Sequence, residues 1–415
     1  MSLALVAAPA LARDPVVGSD VTAVSVDAPA RPSRERARMN QRVFDRVWSE
    51  VRSQYYDPAL HGVDWNGARR SFRPRALAAP DDRTLYRVLG EMLALLDDDH
   101  AGASAPAVAR RLDTIHEPRA AIGVTLRPDP DQPGHYVVEA VREGSPAEAA
   151  GVTSGWRLNA TGADAWSPEL DVVEGQAVTL AFSDPEGVRR SLTLTPRIMQ
   201  PRPSFIADLS RPGVAVLRVN AFDPGLGDWM GQQLATLPPG TDVVLDLRGN
   251  PGGRLLEADA VLSCFLPRDL AWATRTTRSG RAIVLKTAGG CGDLDAPAAN
   301  DVAVLVDANS RSAAELTPAA LQEAGRAVVV GEPTAGAVLI SQDTRLPDGG
   351  RLSLSRSDFV TAGGVRLEKR GVTPDLAASA PDGESDGSDP VLDLAIAALA
   401  PPLPSQAGTA DAAPL

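Results

Sequence analysis

Three features of this chain are equipped for chemistry: a serine at a turn, a histidine among acids, and a glycine-rich loop. The serine is Ser312, in Asp307-Ala308-Asn309-Ser310-Arg311-Ser312-Ala313-Ala314-Glu315. An apolar run, Val302 to Val306, precedes this stretch, and an apolar segment ending near Gly325 follows it. The pattern predicts strand, tight turn and helix. It places the hydroxyl beside unpaired N–H groups and the positive end of a helix dipole. Such a position favours a nucleophile that must build up negative charge. Ser312 and Glu315 also satisfy a Ser-x-x-Glu capping box, which needs no chemistry. Local sequence admits both readings.

His100 ends the run Leu96-Asp97-Asp98-Asp99-His100, just past an apolar helical pattern. Of the four histidines it is the best placed for proton transfer, because His61, His116 and His135 stand in polar, loop-like settings. An imidazole with an ordinary pKa near 6.5 suits a general base at neutral pH. The strand-like run Asp242 to Leu247 leads into Arg248-Gly249-Asn250-Pro251-Gly252-Gly253. Glycines there can bring backbone N–H groups close to a ligand, or simply make a turn.

These residues need elements to hold them. Val43, Phe44, Val47, Trp48 and Val51 recur at helical spacing across 40–56, and Asp57-Pro58 stops that helix. Leu85, Val88, Leu89, Met92, Leu93, Leu95 and Leu96 repeat the pattern over 82–97. A helical N-terminal domain over 37–115 follows. Short β-like runs between 120 and 197 predict a β domain at 118–198. After Arg202-Pro203, buried strands at 214–219, 242–247, 302–306 and 327–331 alternate with helical segments, and Asp389 to Leu399 reads as a last helix. That predicts an α/β core over 203–400. Pro318, inside the helix after the serine, predicts a kink or a lost helical bond there. Ser2 to Ala12 ends in Ala10-Leu11-Ala12, a small-x-small cleavage pattern, and reads as the remnant of an export signal. A linker runs on to residue 36, and 401–415 reads as a disordered Pro/Ala-rich tail.

Composition narrows the partners. The 415 residues carry a net charge of −12, which argues against nucleic acid or an anionic membrane surface. No other stretch is long and apolar enough to span a bilayer. Aromatics make up 4%, so the core must be built from Ala, Val and Leu. The two cysteines, Cys264 and Cys291, form no Cys-x-x-Cys pair, so no metal site or cofactor is expected. In an exported protein they could form a disulfide; two unrelated buried thiols are the alternative.

Two resemblances join these pieces. Glu143-Gly144-Ser145-Pro146-Ala147-Glu148-Ala149-Ala150-Gly151-Val152 resembles the PDZ domain of bacterial proteases. Ile122-Gly123-Val124 then matches the loop whose N–H groups take a peptide's C-terminal carboxylate. Trp156 departs from the Asp usual after Gly155. Over about residues 40–400 the chain resembles the S41 peptidases, the C-terminal-processing and tricorn-core group. The marks are Val244 to Gly253, Ser312-Ala313-Ala314-Glu315 and Val330-Gly331-Glu332-Pro333-Thr334-Ala335-Gly336, in that order. The resemblance implies an α/β fold: a ClpP/crotonase-like β/α core, an N-terminal helical cap and an inserted PDZ-like β domain.

It also implies roles. One branch of the family uses a lysine after the Gly-Glu-x-Thr-x-Gly loop, but that position here is Ala337. The tricorn-like branch uses a histidine in an Asp-x-His motif, matched by Asp98-Asp99-His100, and a glutamate matched by Glu368 in Leu367 to Asp375. Ser312 is then the nucleophile, His100 the general base and Glu368 the orienting acid. The oxyanion hole would comprise Ala313 N–H with Gly252 or Gly253. Asp99 replaces a bridging serine, either contacting the imidazole or standing as a solvated loop acid. Two carboxylates near His100 would raise its pKa. The implied protein is an exported serine endopeptidase, periplasmic or secreted. It would cleave protein or peptide substrates laid as an added strand on the core sheet, with PDZ capture of their C-termini. The alternative is a non-catalytic protein of this fold that binds peptide or apolar ligands. No motif specifies an oligomeric state.

Overall fold

The computed structural model describes residues 32–129, 132, 135–159, 172–379 and 389–399. The expected export segment, most of the linker and the 401–415 tail lie outside these residues. Apolar residues three and four apart generate α1 (Arg34–Gln54), α2 (Trp65–Leu77) and α3 (Asp82–Leu93). Side chains of Ser33, Asp64 and Asp81 accept N–H groups of the first turns, which sets each start. The first helix begins before residue 40 because Ser33 caps it, and α3 gives way to a 3-10 turn at Ala94–Leu96. Val43, Phe44, Val47, Leu85, Leu89 and Met92 are buried together with Leu346, Leu352 and Leu354 from far along the chain. The helical unit therefore completes its core on a distant sheet.

Next come β1 (Gly102–Ser104), α4 (Pro106–Asp113), β2 (Arg119–Ala121), β3 (Val124–Pro128) and β4 (His135–Val141). They are followed by α5 (Pro146–Ala149), β5 (Arg157–Asn159), β6 (Val178–Ser183), β7 (Arg189–Leu194) and β8 (Arg197–Met199). Strands β3 to β7 form an antiparallel five-stranded sheet around Ile122, Val138, Leu158, Leu180 and Phe182. Trp156 is buried there, edge-on to Phe182 at 6.1 Å, so it serves as a core residue. Strands β2 and β8 pair antiparallel, which brings the entry and exit of this unit side by side.

The remaining elements are β9 (Phe205–Asp208), β10 (Val214–Val219), α6 (Leu226–Thr236), β11 (Asp242–Asp246), α7 (Leu255–Phe265), β12 (Ala271–Thr277) and β13 (Ala282–Lys286). Then follow β14 (Val302–Val306), α8 (Ala313–Glu323), β15 (Val328–Gly331), β16 (Ile340–Arg345), β17 (Arg351–Thr361), β18 (Leu376–Ala377) and α9 (Pro390–Leu399). One sheet runs β18-β15-β14-β11-β10-β9, parallel except for β9. Every residue of β14 is buried, as a parallel strand covered on both faces should be. Val391, Leu392 and Ala395 of α9 cover one face; α6, α7 and α8 pack against the other. A second sheet runs β1-β17-β12-β13 with β16 also on β17. The α/β architecture is thus present. Cys264 of α7 and Cys291 are joined by a disulfide, with Cα atoms 5.0 Å apart.

Candidate active site

Ser312 sits between β14 and α8 with φ +55° and ψ −117°. A non-glycine residue there is strained and persists only where its surroundings fix it. Its N–H donates to the Ala337 carbonyl (2.8 Å) and to Glu315 (3.0 Å). Glu315 is fully buried, and its carboxylate also accepts the Thr334 hydroxyl (2.6 Å) and the N–H groups of Gly336 (2.7 Å) and Ala337 (2.9 Å). The capping-box acid is therefore a clamp tying the serine turn to the 332–337 loop. Sequence showed only its capping spacing.

The glycine loop meets the same turn. Buried Asn250 donates to the Val219 carbonyl (2.7 Å), and its side-chain oxygen accepts the Gly252 N–H (2.7 Å). Arg311 N–H donates to the Asn250 carbonyl (2.9 Å). Gly252 has φ +98°, and a Cβ there would fall 2.7 Å from the Ser312 Cβ. Only glycine permits that approach. Among the described residues, the N–H groups of Gly253 and Ala313 donate to no protein acceptor.

His100 follows Asp97, whose φ of +48° turns the chain out of the 3-10 segment. Its N–H donates to Asp98 Oδ1 (2.8 Å). Burial lowers the imidazole pKa below its ordinary 6.5, and Arg311 adds to the lowering. Asp98, Asp99 and Glu315 oppose it. The expected rise from nearby carboxylates is thus reversed, because desolvation outweighs their attraction. Two residues of the serine turn, Arg311 and Glu315, thus lie within electrostatic reach of this imidazole. No hydrogen bond joins the Ser312 hydroxyl to the imidazole. His100 lines a cavity of about 380 Å³ with Asp99, Ser104, Asp343, Arg351 and Ser353.

Asp99 makes no hydrogen bond to the imidazole: it is half exposed and accepts from Lys369 Nζ (3.1 Å). Although partial burial pulls the ammonium down, its bonds to Asp99 and Asp97 hold it above the ordinary lysine range. The chain's other lysine, Lys286, ends β13. Glu368 is buried, with one carboxylate oxygen accepting Val338 N–H (2.8 Å), next to Ala337. Burial raises its pKa; the Val338 bond opposes this and nearby Asp98 adds to it. Four buried atoms here have no protein partner: Glu368 Oε1, Asp98 Oδ2, His100 Nδ1 and the Tyr55 hydroxyl. The Tyr55 phenol is pushed up by burial and then by Asp98. The Asp-x-His match singled out Asp98 in sequence but not its burial, and nothing marked Tyr55.

The other predicted residues lie elsewhere. Ile122, Gly123 and Val124 belong to the five-stranded sheet unit, where Ala147 N–H donates to the Ile122 carbonyl (2.9 Å) and Arg142 N–H to the Gly123 carbonyl (2.8 Å). No cluster of His, Cys, Asp and Glu suited to a metal occurs among the described residues.

Residues 213–378 match Peptidase family S41, and residues 37–94 match the tricorn protease C1 domain. The chain is 28% identical to the carboxyl-terminal-processing protease of Picosynechococcus sp., over 79% of this chain and 81% of that protein. It is likewise 28% identical to carboxyl-terminal-processing peptidase 2, chloroplastic, of Arabidopsis thaliana, over 86% of this chain and 72% of that one. Among solved structures, the photosystem II D1 C-terminal processing protease superposes with TM-score 0.59 at 24% identity, covering 82% of this chain and 93% of that one. The tricorn protease superposes with TM-score 0.53 at 18% identity, covering 88% and 36%. At those identities the structures speak for the fold alone. The family S41 match over residues 213–378, the processing-protease relatives and the shared fold agree on a serine peptidase that is similar to the S41 peptidases.

Proposed function

We propose that the chain is an endopeptidase in which Ser312 attacks, His100 is the general base and Glu368 orients the imidazole. The observation that carries this reading is the strained Ser312 turn, clamped by buried Glu315 and packed against Gly252, with His100 within electrostatic reach of Glu315 and Arg311. The Ser312 hydroxyl adds to the scissile carbonyl carbon as its proton passes to His100. The resulting oxyanion is held by Ala313 N–H and Gly253 N–H, which have no competing protein acceptor. Gly252 N–H is committed to Asn250, so Gly252 acts by permitting close approach. Collapse expels the amine, which takes the proton from His100. Water then hydrolyses the acyl-enzyme with the same base. Productive contact between hydroxyl and imidazole forms on substrate binding, as catalytic hydrogen bonds often tighten only in the complex.

Lysine catalysis is disfavoured here. Ala337 carries no base, and Lys369 is held protonated by Asp99 and Asp97. Imidazole orientation falls to Glu368, with Asp98 beside it. The five-stranded unit, read as a PDZ domain, would hold substrate C-termini at the Ile122-Gly123-Val124 loop. Export is supported by the small-x-small leader pattern and by the disulfide, which persists in oxidising compartments. No helix among the described residues is long and apolar enough to cross a membrane.

A fluorophosphonate probe and a loosely folded protein substrate test the assignment. Labelling at Ser312 and cleavage are expected in the parent. Both should be lost in Ser312→Ala, and cleavage should fall at least 10³-fold in His100→Ala with melting nearly unchanged. Full activity of either variant refutes the roles. No labelling and no cleavage, with saturable binding of peptide or apolar ligand, would instead establish a binding protein.

A further inference from the structure

A second polar cavity, of about 520 Å³, lies where the C-terminal end of α1 meets β12, β16 and β17. Adjacent residues of β16 divide between the two cavities: Gln342 lines this one and Asp343 lines the one holding His100. The two cavities thus lie next to each other along β16 and β17.

Its walls carry three arginines, Arg275, Arg278 and Arg356, and no carboxylate. Arg275 has no hydrogen-bond or ion-pair partner among the described residues, and its Nε is buried. Arg356 spends Nη2 on Glu50 (2.9 Å) and Thr344 (3.3 Å), while its Nε and Nη1 are buried without partners. Arg278 donates to the carbonyls of Tyr55 (2.6 Å) and Arg52 (3.0 Å) at the end of α1. Those acceptors are neutral backbone carbonyls; the Asp57 carboxylate lies within electrostatic reach of Arg278 but makes no ion pair with it. Glu50, the carboxylate paired with Arg356, is shared with Arg46 (2.9 Å). Three arginines thus line one cavity in a chain whose net charge is −12.

Buried guanidinium N–H groups without acceptors are unfavourable, and an isolated cation cluster repels itself. An oxyanion corrects both, because guanidinium forks match phosphate oxygens bidentately. Gln54, Gln342 and Ser357 add neutral polar groups around it. We propose that this cavity binds a small phosphate-type oxyanion, either the free ion or a phosphate ester. The site is assembled from the helical unit and the second sheet together, so occupancy would fasten one to the other. It does not depend on the chemistry assigned to Ser312.

Titration of the full chain with inorganic phosphate and with glycerol phosphate, at ionic strength held constant with chloride, tests this. Calorimetry should show saturable binding of at least one. Melting should rise by about 2 °C or more at tenfold over Kd. Arg275→Gln should weaken binding at least tenfold without lowering the melting temperature of the free protein. Ser312→Ala should bind as the parent does, which separates this site from the catalytic one. Tighter binding of the ester would identify the ester as the better occupant. Absence of any shift beyond chloride, or equal binding by Arg275→Gln, overturns the proposal.

Discussion

Glu315→Gln is the sharpest test of how the Ser312 turn is held. The carboxylate is fully buried and accepts four donors at 2.6–3.0 Å. Glutamine keeps the shape but offers one oxygen. With that oxygen towards Thr334 and Gly336, its amide NH2 faces the N–H of Ala337, which loses its acceptor. Ser312 N–H retains the Ala337 carbonyl. In the reverse orientation Gly336 N–H is stranded, while the Thr334 hydroxyl can turn. Each buried donor left unpaired costs about 1–3 kcal/mol, and a charge-assisted bond is also lost. The expected destabilisation is about 2–4 kcal/mol, read by urea unfolding with an unchanged m-value. Because the same bonds hold Ser312 at positive φ, kcat/KM should fall about tenfold or more even where the variant is fully folded. A Glu315→Gln protein within 1 kcal/mol of the parent, with unchanged labelling at Ser312, would refute the clamp.

Four further predictions rest on the site and the fold. Gly252→Ala places a methyl 2.7 Å from the Ser312 Cβ and 2.8 Å from the Arg311 carbonyl at φ +98°, so peptidase activity should drop about 100-fold or more; an active, equally stable variant would remove the close-approach requirement. Burial lowers the His100 pKa, and the base works when neutral. The kcat/KM profile should therefore rise with pH through a midpoint below 6.5, and an acid limb centred above 6.5 would contradict the assignment. The same lowered pKa makes the His100 contribution to stability fully present above 6.5 and lost as pH falls through the folded value. Excising 122–196 and rejoining the paired ends of β2 and β8, where Ala121 faces Arg197, should spare cleavage of short peptides and weaken cleavage of proteins; loss of both would mean that the unit gates the site.

Local pattern determined a good deal. Three- and four-residue apolar spacing specified α1 and α3, all-apolar runs specified the buried parallel strands, and the resemblance to the S41 peptidases pointed Ser312, His100, Gly252, Gly253 and Glu368 to acyl transfer. Ala337 spoke against a lysine at its position without any coordinates. Each of these depends on near neighbours or on one side chain's chemistry. Tertiary structure decided what depends on long-range proximity and desolvation. It turned Glu315 from a capping residue into a buried clamp by bringing the 332–337 loop 20 residues back onto the serine. It assigned Asp99 to Lys369 and buried Asp98, a choice that three consecutive aspartates cannot encode locally. It reversed the His100 shift, because burial is a property of the packed helical unit and not of the Asp-Asp-His sequence. It also completed the helical core with Leu346, Leu352 and Leu354, about 250 residues away, which no periodicity within 37–115 can reveal.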